Sequence, residues 1–104
     1  MTKEESYFNE IGNSIKDAQA AQMMGMPCFK VKGKMFAGFF EGDMVFKLHG
    51  DDHHKALGLT GSKLFDPGKM NRPMKEWVQV TFKHKDKWQE FAKSAFNYVK
   101  KTAK

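Results

Sequence analysis

A chain with one cysteine cannot close a disulfide on itself, and Cys28 is the only cysteine among these 104 residues. The opening MTKEESYFNE offers neither a basic n-region nor an apolar h-region, so the sequence predicts a cytosolic protein rather than a secreted one. Long apolar runs are also missing. The longest uncharged stretch, Ala18 to Phe29, mixes Gln, Gly and Pro and falls well short of the roughly 20 apolar residues that cross a bilayer, so no membrane partner is expected. Arginine is nearly absent: Arg72 stands against 17 lysines. That scarcity weakens a base-reading role, because the guanidinium fork pairs with guanine edges and phosphates, whereas lysine is a hydrated point charge that also keeps surfaces soluble.

Phosphate loops are missing too, since Gly33, Gly38 and Gly42 fall at strand turns without a GxGxxG or GK[ST] pattern. No metal or cofactor is expected. His49 and His53 have an i,i+4 spacing, but Gly50 and Asp51 between them mark a helix start, which leaves His53 and His54 on an exposed first turn. Cys28 lacks a positioned base and reads as a small buried hydrophobe rather than a nucleophile. The carboxylate pairs Glu4-Glu5 and Asp51-Asp52 both sit at helix starts, where negative charge suits the helix dipole without acid or base chemistry. The residues therefore predict no enzyme.

What is present suits one folded domain over residues 1–104. The chain is 40% hydrophobic, with 10 Phe and 2 Trp, enough large apolar surface for one core. Thr2 and Glu5 fit a capping box, and Phe8, Ile11, Ile15 and Ala18 share a helical face, so a first helix is predicted from about Lys3 to Met24, with Gly25 closing it. Phe29 and Val31 then alternate with Lys30 and Lys32. Turns at Lys32-Gly33-Lys34 and Glu41-Gly42-Asp43 separate three strands of an antiparallel meander ending near Leu48. Asp51 is read as the cap of a short helix stopped by Gly58. Lys63-Leu64-Phe65 and Glu76 to Val80 read as two more strands, and Trp88, Phe91, Ala92, Ala95 and Val99 as the stripe of a last helix from about Asp86 to Lys101. The fold class expected is α+β, two layers, with helices on a mostly antiparallel five-stranded sheet in the order α-β-β-β-α-β-β-α.

The net charge of +6 is uneven: residues 59–104 hold 11 basic and 4 acidic residues. Within that half, Lys69, Arg72, Lys75 and Trp77 surround a proline-bearing connection and form the candidate contact surface for a protein partner or, alternatively, for nucleic acid, where bases stack on aromatics and cations hold phosphates. Met23, Met24, Met26, Met35 and Met44 would fill a core by default, or make a pliable binding surface. An exposed edge strand would let two copies pair as a homodimer.

The stretch Met24 to Ala37, followed by Met44 to Leu48, resembles the TfoX N-terminal domain family, whose pattern is a Met-Gly lead into a strand, a "GK-FA" turn and strand, and an "L-LK" strand. Leu64 to Pro67, Arg72 to Val80 and Trp88 to Val99 look like a stand-alone branch of that family, related in fold to YjbR-like proteins. The resemblance spans about residues 20–100. It implies helices over one antiparallel sheet, and a bacterial regulatory or binding module with no established catalytic residues; YjbR-like relatives have been suggested to bind DNA.

Overall fold

The computed structural model describes residues 2–23, 25–66 and 74–102. Helix α1 spans Lys3–Ser14, and the Thr2 hydroxyl accepts the Glu5 amide at 3.1 Å, as a capping residue should. The helix is ten residues shorter than predicted: Gln19–Met23 forms a strand, β1, so the sheet has six strands rather than five. The reason lies in what a longer helix would bury. After Phe8, Ile11 and Ile15 the stripe shrinks to alanine, and Asp17 turns the chain at φ +74, a conformation that Asp tolerates through its short polar side chain. The segment that follows instead pairs antiparallel with β2 (Met26–Val31), from Gln19 opposite Lys30 to Met23 opposite Met26, which satisfies backbone groups on both. Gly25 does take a positive φ, of +77, but in the turn into β2 rather than at a helix end.

The meander continues through β3 (Lys34–Phe40) and β4 (Asp43–Lys47). Both intervening turns carry two successive residues at positive φ, Lys32-Gly33 and Glu41-Gly42, the pattern of tight hairpins whose twist matches the strands. Helix α2 spans Asp51–Leu57, with Gly50 rather than Asp51 at the cap position and no side-chain cap bond. Strands β5 (Lys63–Phe65) and β6 (Met74–Val80) pair with each other, and β6 docks on β4. A single 3₁₀ turn, Phe82–His84, leads into α3 (Lys85–Thr102). The strand order is β1-β2-β3-β4-β6-β5, antiparallel throughout. The chain order is thus α-β-β-β-β-α-β-β-α, in place of the one predicted.

All three helices contribute to one cluster: Phe8 and Ile11 from α1, Ala56 from α2, and Trp88, Phe91, Ala95, Phe96 and Val99 from α3 cover Phe29, Val31, Phe46, Val78 and Val80 of the sheet. One irregularity decides which residues face them. Phe29 is opposite Ala37 and Lys30 opposite Met35, so the register steps over Phe36. Such a bulge places two consecutive residues on one side. Phe36 meets Phe96 ring to ring at 5.3 Å and Ala37 is buried in the same cluster, which leaves Met35 and Gly38 on the opposite face. Among the described residues no helix is long and apolar enough to cross a membrane.

Candidate functional site

The face of the sheet turned away from the helices carries, by the register, Met23 of β1, Met26, Cys28 and Lys30 of β2, and Met35, Gly38 and Phe40 of β3. Asp43, Val45 and Lys47 of β4, Trp77 and Gln79 of β6, and Lys63 and Phe65 of β5 also lie on it. Although no helix among the described residues covers it, the centre is dry: Val45 is 0% exposed, Cys28 1% and Phe65 3%. The cover comes from the face's own long side chains. A Cβ on Gly38 would lie 2.7 Å from the Met35 methyl, 2.9 Å from the Met26 methyl and 3.2 Å from Val45, so the missing side chain is what lets two methionines fold over the strand. Phe40 and Phe65 meet edge to face at 5.2 Å beside them.

Between these groups lies a recess of about 210 Å³, lined by Met23, Met26, Met35, Phe65 and Trp77, with Lys34 and Lys47 in its wall. Among the described residues its lining is almost wholly apolar and its charged members are basic. Methionine is unbranched and polarisable, which makes such a wall adaptable in shape. Lys47 reaches Glu76 at 4.0 Å, and Glu76 in turn accepts the Tyr98 hydroxyl at 2.5 Å; that bond, then burial, holds the phenol above its ordinary pKa. His49 stacks on Tyr98 at 5.2 Å.

This face also holds a polar pair, a buried glutamine against a half-buried aspartate. Gln79 is 5% exposed, and its amide donates to Asp43 Oδ2 at 2.7 Å. Burial pushes the Asp43 carboxyl above its ordinary range, against the pull of the Gln79 bond and the Lys63 charge. The folded protein therefore binds this proton more tightly than the unfolded chain. The contribution of Asp43 is most favourable at acid pH and declines as pH rises through the interval just above the ordinary carboxylate value. Replacing Asp43 with Asn, which keeps an acceptor for Gln79, is expected to remove that decline. Asp43→Ala instead leaves the Gln79 amide buried without its partner and is expected to cost about 2 kcal/mol. Urea midpoints measured from pH 3.5 to 7 check both; an Ala variant as stable as the Asn variant would show that the bond contributes nothing.

Of the four residues singled out by sequence, Lys69 and Arg72 lie outside the described residues. Lys75 is exposed, and Trp77, opposite Lys47, is half-buried in the recess wall on the open face. The structure joins Trp77 to methionines from β1, β2 and β3. Sequence reasoning missed Lys34, Lys47 and Phe65. It had the methionines as a group, but only Met23, Met26 and Met35 line the recess, whereas Met44 is 1% exposed in the helix-side core.

The other chemistry-bearing side chains have structural surroundings. Cys28 is buried, and burial raises its thiol pKa despite Lys30, opposite to what a nucleophile needs. His53 and His84 donate through Nε2 to the carbonyls of Lys75 and Thr60, each at 2.8 Å, tying α2 to β6 and the turn before α3 to the loop before β5. Among the described residues no three of His, Cys, Asp and Glu converge as metal ligands. Compared with models of known protein families, with curated proteins and with solved structures, the chain gives no match.

Proposed function

We propose that this chain is a non-enzymatic binding and regulatory module of the TfoX N-terminal type that acts through protein contacts made by the open face of its sheet. The observation that carries the reading is the recess: an apolar, methionine-rich hollow with Trp77 in its wall, on a sheet face that no helix covers. Interfaces concentrate their energy in aromatic and methionine anchors at a desolvated centre, with charge kept to the rim. Here the rim is basic among the described residues, from Lys34 and Lys47. The partner it suits presents an apolar anchor bordered by acidic side chains.

A photo-crosslinking residue in place of Met23, and at the exposed Lys93 of α3 as control, tests this in the source cells. A discrete protein adduct through position 23 alone is expected, and the purified adduct partner should bind the Trp77→Ala variant at least about tenfold more weakly, as for an interface anchor. Adducts equal at both positions, or through Lys93 only, would overturn it. Nucleic acid captured through Lys93 would favour the alternative, in which the basic surface of the second half holds phosphates; that binding should weaken by roughly 0.9 log units per contact per log of salt.

A further inference from the structure

The recess has a composition that selects among small ligands. Three thioethers, of Met23, Met26 and Met35, face two aromatic rings, Phe65 and Trp77. Thioether sulfur makes favourable contacts with aromatic rings, and rings gain from edge and offset stacking beyond the area they bury, so an aromatic guest gains more here than an alkyl chain of equal surface. The volume, about 210 Å³, limits that guest. A cavity of about 150 Å³ already admits benzene, while pockets for drug-sized molecules begin near 300 Å³. One ring with a short substituent fits.

Charge fixes the substituent. Among the described residues no acidic side chain lines the recess, and the charged members are Lys34, at the start of β3, and Lys47, at the end of β4. Lysines in an apolar wall lay their methylene stems along it and keep the ammonium at the water. Lys47 is tied only loosely, to Glu76 at 4.0 Å, which leaves it able to meet an incoming anion. We infer that the recess is a binding site for a small aromatic carboxylate, its ring among the methionines and Trp77 and its carboxylate at Lys34 and Lys47. The site stands whether or not a protein docks on the same face, because it needs only groups already in the wall.

The test is a titration of the whole chain, labelled with ¹³C at the methionine methyls, with 3-phenylpropionate, its neutral amide 3-phenylpropanamide, and 3-phenylpropylamine. Saturable shifts of the Met23, Met26 and Met35 methyls are expected with the acid, and none at Met44, which is buried on the other face. The amide should bind about fivefold more weakly than the acid, and the amine more weakly still, from the loss of two exposed charge contacts. The Lys34→Gln, Lys47→Gln double variant, altered only at its surface, should bring the acid down to the amide. No saturable shift with any of the three compounds overturns the site. Equal affinity for acid, amide and amine, or shifts at Met44 as large as those in the recess, overturns its assignment to an aromatic carboxylate.

Discussion

Trp88→Ala is expected to lower the stability of the domain by about 3–5 kcal/mol, the usual range for truncating a fully buried tryptophan. Trp88 is 0% exposed and stands where three elements meet. Its ring stacks on Tyr7 of α1 at 6.0 Å and 25°, takes Phe82 of the 3₁₀ turn edge-on at 5.3 Å, and belongs to the first turns of α3. Its indole N–H donates to the Thr81 carbonyl at 3.1 Å, so the polar handle is used as well. Small domains are stable by only about 5–15 kcal/mol, which makes the loss about a fifth of the total or more. Trp88→Phe keeps a ring between Tyr7 and Phe82 but leaves the Thr81 carbonyl without this donor, and should fall between the wild type and the Ala variant. Urea unfolding followed by circular dichroism measures both. A loss within about 0.5 kcal/mol for Trp88→Ala, the range of ordinary surface substitutions, would show that the junction carries no stability.

The same residue illustrates what was legible. Helix α3 could be read because Trp88, Phe91, Ala92, Ala95 and Val99 repeat at helical spacing with lysines between them, and all five are buried. The two hairpins could be read because Lys32-Gly33 and Glu41-Gly42 name their turns. Strand β1 could not. Gln19 to Met23 holds two alanines and no β-branched residue, a composition that favours helix by intrinsic preference, and only the partner strand, an arrangement outside the segment itself, makes it extended. The run from Met35 to Phe40 was ambiguous for another reason. It is apolar throughout, so nothing in it shows the step at Phe36 that sends Met35 and Gly38 away from the helices. The candidate site inherits both difficulties. Trp77 is legible as the aromatic that ends a basic, proline-bearing segment, but its neighbours in the recess come from β1, β2, β3, β4 and β5, and that convergence depends on register and bulge rather than on any local spacing.

Gly12→Ala is expected to destabilise the protein by about 3 kcal/mol, the upper part of the range for overpacking a filled core, although the same change inside a helix normally favours it by about 0.5–1 kcal/mol. The sign reverses because of one contact. Gly12 lies on the buried side of α1, and a Cβ there would fall 2.1 Å from Cε2 and Cζ of Phe29 and 2.4 Å from its Cδ2. The ring has little freedom to retreat: Phe29 is 2% exposed and packs on Phe8 at 5.1 Å. The helix must lift from the sheet instead, and with it Phe8 and Ile11, which α1 contributes to the core. Two further variants separate this mechanism from a backbone effect. Phe29→Leu should cost stability alone yet make Gly12→Ala cheaper, a coupling expected only of residues in contact. Gly25→Ala has nothing within 4 Å of its Cβ but a φ of +77, so its cost should be the strain of a left-handed residue, about 1–2 kcal/mol, and independent of residue 29. If Gly12→Ala proves as stable as the wild type, or if its cost is unchanged by Phe29→Leu, then α1 does not sit as close to β2 as the structure places it. Conversely, a coupled loss would mean that the missing side chain of Gly12 is what sets the distance between the two layers.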